Sequence, residues 1–142
     1  MIRNVDDAKL NETDMRKYFE MMFSGQHIEA IEKYYTENVA MESELLGTIV
    51  GRDNIIRLLD QYFELVKETH VPASIIVSDN EAAVELLSTM LVKKDFEEHK
   101  AGDTWNARFN MHYSIEGDRI KRVTIYTLCK PCSPDQMKIP NS

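Results

Sequence analysis

The sequence predicts an α+β domain, in which three N-terminal helices pack into a strongly curved, mainly antiparallel sheet. Three observations support this prediction. Apolar residues recur with a helical period in three segments of the first half, and they alternate with polar residues in the segments that follow. A Gly-Asp pair separates two alternating runs near the C-terminus, which is typical of a hairpin. Helices followed by strands along the chain are characteristic of the α+β class.

Three amphipathic helices are predicted from the 3.6-residue period of their apolar residues. The first covers about 13–24 and ends at Gly25, because glycine is favoured just beyond a helix C-terminus. The second covers about 27–35, and the third covers about 54–68 with Asp53 as a candidate N-cap. The residues expected to face the core are Met15, Tyr18, Phe19, Met22, Phe23, Ile28, Ile31, Tyr34, Tyr35, Ile55, Ile56, Leu58, Leu59, Tyr62, Phe63 and Val66.

The other ordered segments alternate between apolar and polar residues, which is typical of strands. Gly47 and Gly51 are expected to flank a connection before the third helix. Residues 1–11 and 130–142 are expected to be loose ends of a single domain. The predicted strands are 39–45, 72–78, about 82–96, 105–115 and 119–128.

Charge and hydropathy limit the classes of partner. Lys and Arg total 17 against 24 Asp and Glu, for a net charge of −7. Nucleic acids and anionic membrane surfaces require a basic patch, so neither is expected as a partner. No apolar run approaches the ~20 residues that span a bilayer, and the N-terminus lacks the apolar core of a signal peptide. We therefore expect a cytoplasmic protein.

The two cysteines form a Cys129-Lys-Pro-Cys132 motif, which is similar to the CxPC of thioredoxin-type redox sites. Those sites need a helix and a returning strand after the motif, and only residues 133–142 follow it. Two thiols also make half of a tetrahedral zinc set, and no histidine pair is spaced to complete it. We expect two reduced thiols in a loose tail, and neither a metal nor another cofactor.

Five short segments, by their order and spacing, resemble the NTF2-like superfamily and, within it, the SnoaL-like and ketosteroid-isomerase-like branch. The segments are Ser24-Gly25, 34–39 (YYTENV), 51–55 (GRDNI), 80–83 (NEAA) and the closing hairpin 112–120 (HYSIEGDRI). The resemblance covers about residues 13–128. It implies an NTF2-like cone, in which the sheet wraps around the helices and leaves an apolar space open at one end. It also implies a homodimer formed through the outer face of the sheet.

The resemblance assigns the residues that face the cone, where a small hydrophobic molecule is expected to bind. For the strand 105–115, the alternation alone predicts the same face. Trp105 could stack on a ligand at the mouth of the cone or fill the core, and both alternatives stay open. The expected lining residues are Met22, Met41, Ser43, Phe63, Leu86, Met90, Trp105, Phe109, Met111, Tyr113 and Ile125.

Tyr18 lies at the centre of the apolar face of the first helix. The resemblance implies a hydrogen-bond donor to a developing oxyanion here, and the alternative is a core tyrosine with a backbone partner. The isomerases have their base, an Asp, on the first strand, and alignment through the resemblance places Ser43 at this position. A gapless count from Gly25 places Glu42 there instead, but strand alternation predicts that Glu42 faces outward. Their second acid falls on Met111. One of the three catalytic positions therefore matches.

Asp60 is the remaining acid near the predicted cavity, at the border of the apolar face of the third helix. The resemblance places it near a tyrosine that hydrogen-bonds the catalytic tyrosine. A carboxylate at an apolar border could act as the base or as a partner of Tyr18. The alternative is a solvated acid paired with Lys67 or Arg57 on neighbouring turns.

The outer face of the predicted sheet carries both polar and apolar residues. Arg108 and His112 are expected there, and so are Leu87 and Leu91 of the long strand. Apolar residues on both faces of a strand indicate that both faces are covered. Since no helix is left to cover the outside, we expect a second copy of the chain.

Two functional hypotheses follow. The first is an enzyme that acts on a small hydrophobic carbonyl compound by proton transfer, as in isomerisation, cyclisation or dehydration, with Tyr18 as donor and Asp60 as base. The second is a non-catalytic ligand-binding or dimerisation module. The replacement of both expected acids favours the second hypothesis, so the sequence leaves open whether the chain is an enzyme.

Overall fold

Three helices and six strands form the described part of the chain, residues 10–44 and 46–138, in the computed structural model. Their order confirms the α+β class. The helices are α1 (Glu12–Met22), α2 (His27–Tyr34) and α3 (Arg52–Leu65), and the strands are β1 (Tyr35–Ser43), β2 (Gly47–Val50), β3 (Val66–Ser78), β4 (Glu81–Val92), β5 (Thr104–Glu116) and β6 (Arg119–Cys129), followed by a 3₁₀ turn at Asp135–Met137.

The six strands form one curved, unclosed sheet in the order β2-β1-β6-β5-β4-β3. β1 and β6 run parallel, and the other neighbouring strands are antiparallel. On the inner face, Phe109 is level with Leu86 and Thr127, and Met111 is level with Ile125. Because residues in register share a face, these side chains form one continuous surface across the middle of the sheet.

The helices pack against the inner face of the sheet, since an amphipathic helix needs a second apolar layer to exclude water from its buried face. α1 buries Met15, Tyr18, Phe19 and Met22. α3 fully buries only Ile55, and the rest of its apolar face is half-buried. The half-buried face of α3 borders a cavity inside the fold.

Asn11 fixes the start of α1 through a capping box. The Asp14 backbone N–H donates to the Asn11 side chain at 2.9 Å, and the Asn11 backbone N–H donates to the Asp14 carboxylate at 3.0 Å. Both bonds satisfy N–H groups that lack a partner within the helix. Leu10, just before the cap, is buried. Residues 1–9, which were expected to be loose, lie outside the described residues.

The structure corrects several predicted boundaries. α3 ends at Leu65 and β3 begins at Val66, so 66–71 belongs to a strand rather than to the end of the helix and a loop. The predicted connection before α3 contains β2, which pairs with β1. α3 also begins earlier, with Gly51 at the N-cap position, so Asp53 lies in the first turn. Gly51 has φ 97°, a conformation that glycine adopts much more readily than other residues.

The segment after β6 lies beside β5 as far as residue 138, where loose chain was expected. Cys129 and Cys132 are joined by a disulfide, which replaces the two reduced thiols that we expected. The Cys132 N–H donates to the Asn106 carbonyl at 2.8 Å. The Arg108 guanidinium donates to the Gln136 carbonyl at 2.9 Å. The segment therefore covers part of the outer sheet face near these two β5 residues.

No helix within residues 10–44 or 46–138 is both long and apolar enough to cross a membrane. The longest, α3, has 14 residues, whereas a helical span needs about 20. A cytoplasmic location stays a prediction from the sequence.

We predict that Asn11→Ala destabilises the protein by about 1 kcal/mol, because it removes the side-chain cap of α1. Thr13→Ala is the matched control, since Thr13 is exposed in the first turn of the same helix. Urea denaturation followed by circular dichroism measures both free energies of unfolding. Equal changes for the two variants would show that the cap has no specific role.

Candidate functional site

A cavity of about 310 Å³ lies between the inner face of the sheet and helices α1 and α3. Its volume is at the lower end of the range for small-molecule sites in proteins. The wall is mostly apolar and takes side chains from both helices and from five strands, β1, β3, β4, β5 and β6. Its polar and charged side chains are Tyr18, Tyr35, Ser43, Tyr62, Glu68, Thr127 and Lys130.

Most of the residues predicted to line the cone lie on this wall. Trp105 and Tyr113 are the exceptions. Trp105 packs against a second apolar cluster that includes Val66 and Met90, a position that favours core filling. Tyr113 is fully buried beside Tyr18, with ring centroids 5.8 Å apart. The predicted residues found on the wall are Met22, Met41, Ser43, Phe63, Leu86, Met90, Phe109, Met111 and Ile125.

Tyr18 of α1 and Tyr35, the first residue of β1, place their hydroxyl oxygens 2.6 Å apart, and we call them the phenol pair. Both side chains are almost completely buried. Burial raises the pKa of each phenol well above its ordinary value. Neighbouring phenols raise these pKa values further: Tyr113 acts on Tyr18, and Tyr18 acts on Tyr35. Both phenols are therefore neutral at physiological pH, so they act as hydrogen-bond donors rather than as bases.

The phenol pair has one O–H proton that the bond between its two hydroxyls does not use. The nearby Tyr113 hydroxyl donates its own proton to the Met111 sulfur at 3.6 Å. A carbonyl oxygen inside the cavity can accept the unused proton. The pair can therefore stabilise negative charge that develops on such an oxygen.

Glu68 is the one carboxylate on the cavity wall among the described residues. It comes from β3 and is only 8% exposed. The Tyr62 hydroxyl of α3 donates to its Oε1 at 2.7 Å, and the Ser88 hydroxyl of β4 donates to its Oε2 at 2.8 Å. Burial raises the pKa of Glu68 above its usual value, and the two hydroxyl donors and the positive charge of Lys130 offset part of this rise.

Sequence reasoning missed Glu68 because it predicted one helix over 54–68, with Glu68 as the last residue. In the structure the strand starts at Val66, and alternation places Val66, Glu68 and His70 on the inner face. The sequence of 66–71 (VKETHV) shows no apolar–polar alternation, and its β-branched residues Val66, Thr69 and Val71 are the one feature that favours a strand.

Asp60 lies at the surface and not on the cavity wall. Its side chain is 50% exposed, and one carboxylate oxygen is 2.6 Å from Nε2 of His27. It is therefore paired, as the alternative interpretation expected, but with His27 rather than with Lys67 or Arg57. The hydroxyl partner of Tyr18 comes from β1 instead of α3. This placement gives no support to Asp60 as a base.

The other residues at positions that the resemblance assigned to acids lie on the sheet faces that strand alternation predicts. Ser43 lines the cavity, and its hydroxyl accepts a hydrogen bond from the Leu46 N–H at 2.9 Å. Glu42 is not on the wall and pairs with Arg122 at 2.6 Å. Met111 is on the wall, and its thioether cannot act as an acid or as a base in proton transfer. None of these three side chains supplies a base to the cavity.

One group of side chains in the described residues is close enough together to bind a metal ion. It consists of Glu97, Glu98 and His99, in the loop between β4 and β5. The three residues are consecutive, both glutamates are exposed, and none of them lines the cavity. Exposed acidic groups of this kind are common without an ion.

The sequence profile of the SnoaL-like domain matches residues 15–123. The match includes most of α1, all of α2 and α3, strands β1 to β5, and the first part of β6. The chain belongs to the SnoaL-like family. The match confirms the resemblance to the SnoaL-like branch of the NTF2-like superfamily.

Solved structures with the same fold include several from bacteria. A candidate polyketide cyclase from Xanthomonas campestris pv. campestris superposes with a TM-score of 0.71 at 16% identity, over 79% of this SnoaL-like chain and 85% of the other. One from Pseudomonas putida KT2440 has a TM-score of 0.68 at 18% identity, over 88% and 92%. A candidate hydroxylase from Streptomyces galilaeus has a TM-score of 0.70 at 9% identity, over 82% and 87%. At these identities the likeness shows the fold alone. No curated protein matches this chain.

We predict that Glu68→Gln stabilises the SnoaL-like protein more at high pH than at low pH. Because the folded-state pKa of Glu68 is raised, the folded state binds this proton more tightly than the unfolded chain does. The stability that depends on this proton is present at low pH and is lost as the pH rises through the folded-state pKa. The glutamine variant does not titrate, so its advantage over the wild type grows with pH.

Urea denaturation between about pH 4 and pH 8 measures this difference in the free energy of unfolding. Glu64→Gln is the matched control, since Glu64 is an exposed acid on the same helix that precedes Glu68. We expect a much smaller pH dependence for the control. The same pH dependence for both variants would contradict a raised Glu68 pKa.

Proposed function

We propose that this protein binds a small apolar carbonyl compound in the cavity and catalyses proton transfer next to the carbonyl group. In this proposal the carbonyl oxygen accepts a hydrogen bond from the phenol pair. The observation that carries the proposal is two neutral, buried hydroxyls 2.6 Å apart beside an apolar cavity. Isomerisation, cyclisation and dehydration of carbonyl compounds can all proceed through such a proton transfer.

The surroundings of the phenol pair support this proposal. The apolar wall favours a ligand with an apolar body, because burial of both surfaces releases water. In a site with little water, a hydrogen bond to a developing oxyanion contributes more than it does in bulk solvent. The Tyr18 ring is packed against four other aromatic rings. The donor is therefore held in place before a ligand arrives.

The structural relatives support cyclisation as one member of this reaction class. Two of the three solved structures named above are candidate polyketide cyclases. Polyketides contain several carbonyl groups with acidic C–H bonds between them, which is the chemistry that a hydroxyl donor and a base in an apolar cavity can promote.

A non-catalytic ligand-binding or dimerisation module is the second candidate function. Ser43 and Met111 favour it, since they hold the positions where the resemblance to ketosteroid isomerases places acids. In this case the cavity binds the same class of ligand without proton transfer. Glu68 on the cavity wall is the observation that favours the enzyme.

We also propose that two copies of the chain pair through the outer face of the sheet. Large side chains exposed on this face include Val71 (52%), Ile76 (66%), Leu91 (39%) and Tyr126 (52%). Exposed apolar side chains that lie near one another mark interaction surfaces. The segment after β6 lies beside Asn106 and Arg108, so it covers a different part of the face.

We predict that replacing both phenols, Tyr18→Phe with Tyr35→Phe, weakens the binding of 2-tetralone by about tenfold, because one buried hydrogen bond contributes about 1–1.5 kcal/mol. This small bicyclic ketone serves as the probe. Both hydroxyls are removed because either one can donate. Isothermal titration calorimetry measures the dissociation constants.

Tyr34→Phe is the control for this experiment, since Tyr34 is also a buried tyrosine but does not line the cavity. We expect wild-type affinity for the control. Equal affinity of the double variant and the wild type would contradict the role of the phenol pair. Failure of the wild type to bind the ketone would contradict the proposed function itself.

We predict that the wild type is a dimer in solution and that Ile76→Glu makes it monomeric, because the new charge would be buried between the two sheets. Ile28→Glu is the control, since Ile28 is an exposed apolar residue on α2, away from the sheet. Size-exclusion chromatography with light scattering measures the masses. A monomeric wild type, or a dimeric Ile76→Glu variant, would contradict a dimer through this face.

A further inference from the structure

We propose that Glu68 is the base that accepts the proton from the bound carbonyl compound. This inference rests on the proposed function and names the residue that the resemblance to ketosteroid isomerases does not supply. It requires that the carboxylate is accessible from the cavity, that its oxygens can accept a proton, and that residues 10–44 and 46–138 offer no better-placed base.

Glu68 is accessible to a ligand in the cavity and shielded from bulk water. It lies on the wall together with its register partner Met90 of β4 and with Phe63 of α3. The residue is only 8% exposed. A carboxylate in such surroundings is a stronger base than one in water, because water no longer stabilises its charge.

The hydrogen bonds of Glu68 hold it in position without neutralising it. Tyr62 and Ser88 are neutral hydroxyls, and each occupies one site on a different carboxylate oxygen. Every carboxylate oxygen has two acceptor sites, so each oxygen keeps one for a substrate proton. The two donors come from α3 and β4, which fixes the carboxylate from both sides.

The other acids that sequence reasoning considered are less suited to this role. Asp60 is half-exposed and paired with His27. Glu42 is paired with Arg122 and does not line the cavity. A cationic partner favours the charged form of a carboxylate and makes it a weaker base. Glu68 combines burial, a position on the wall and neutral hydrogen-bond partners.

The chemical step needs no further reactant. The C–H bond next to the carbonyl breaks, and its proton bonds to a Glu68 oxygen. The C–H electron pair forms the C=C bond of an enolate, and the π pair of the C=O bond moves to the oxygen, which the phenol pair stabilises. Return of the proton to the same or another carbon restores the carboxylate.

The groups around Glu68 predict a single pH transition in the rate, above the usual pKa of a glutamate. Burial keeps the phenols of Tyr18, Tyr35 and Tyr62 protonated, because it raises the pKa of each. Lys130 also borders the cavity, and its positive charge lowers the pKa of Glu68. Arg16, Glu20 and His70 border a second, surface hollow that Glu68 also touches. The pKa of His70 is lowered by burial, which favours the neutral form of this side chain.

The test is the exchange of the α-hydrogens of 2-tetralone for deuterium in D₂O, followed by proton NMR and corrected for the uncatalysed rate. We expect Glu68→Gln to lower the exchange rate by about a hundredfold or more, which is typical of the loss of a positioned base, and to keep the dissociation constant of the ketone. Glu64→Gln, an exposed acid on α3, is the matched control and should exchange at the wild-type rate.

A second variant separates a catalytic role from a structural link between α3 and β4. Ser88→Ala removes a donor that lowers the pKa of Glu68, so the pH at which the rate reaches its plateau should move upward. A purely structural carboxylate would leave this pH profile unchanged. The test therefore does not depend on the folding of the Glu68 variant alone.

The outcomes distinguish this inference from the proposed function. Loss of exchange in Glu68→Gln with unchanged ketone affinity supports Glu68 as the base. Binding of the ketone by the wild type without exchange, or equal exchange in the Glu68 and Glu64 variants, overturns the inference and leaves the binding function intact. Absence of ketone binding by the wild type overturns both.

Discussion

The packing of Tyr18 is the contact on which both the fold and the cavity depend. Its ring centroid lies 5.0 Å from that of Phe19 and 5.7–5.8 Å from those of Tyr34, Tyr35 and Tyr113. Elements α1, α2, β1 and β5 therefore meet at one side chain. Each aromatic pair of this kind contributes about 0.5–1.5 kcal/mol beyond the burial of its surface. Because the same side chain borders the cavity, the packing that holds the core together also fixes the position of the hydrogen-bond donor.

Burial raises the pKa of both kinds of polar group beside the cavity, but the chemical consequence differs between the phenols and the carboxylate. It raises the pKa of the phenols so far that they stay neutral and can only donate or share hydrogen bonds. It also raises the pKa of Glu68, which makes this carboxylate a stronger base, while two hydroxyl donors limit the rise. One apolar environment thus separates a donor from a base. The shape of the curved sheet, with α3 only half-buried against it, leaves the space in which both groups face a ligand.

The order of helical and alternating segments predicted the fold class. The family resemblance assigned nine of the residues that border the cavity, and alternation alone predicted the same face for the strand 105–115. Sequence reasoning missed β2, whose four residues at the edge of the sheet carry no recognisable period. It extended α3 to residue 68 because Tyr62, Phe63 and Val66 continue the helical spacing, although the strand begins at Val66 with no turn before it. That error placed Glu68 on a helix end. The hydroxyl contact between Tyr18 and Tyr35 was also hidden, since it depends on how α1 and β1 meet in space.

A crystal structure of the protein with 2-tetralone bound tests most directly the claim that the cavity holds a carbonyl compound between a donor and a base. The account predicts that the ketone oxygen lies within hydrogen-bond distance of the Tyr18 or Tyr35 hydroxyl, and that an α-carbon faces the Glu68 carboxylate. A ketone bound outside the cavity, or with its oxygen turned away from both hydroxyls, would contradict it.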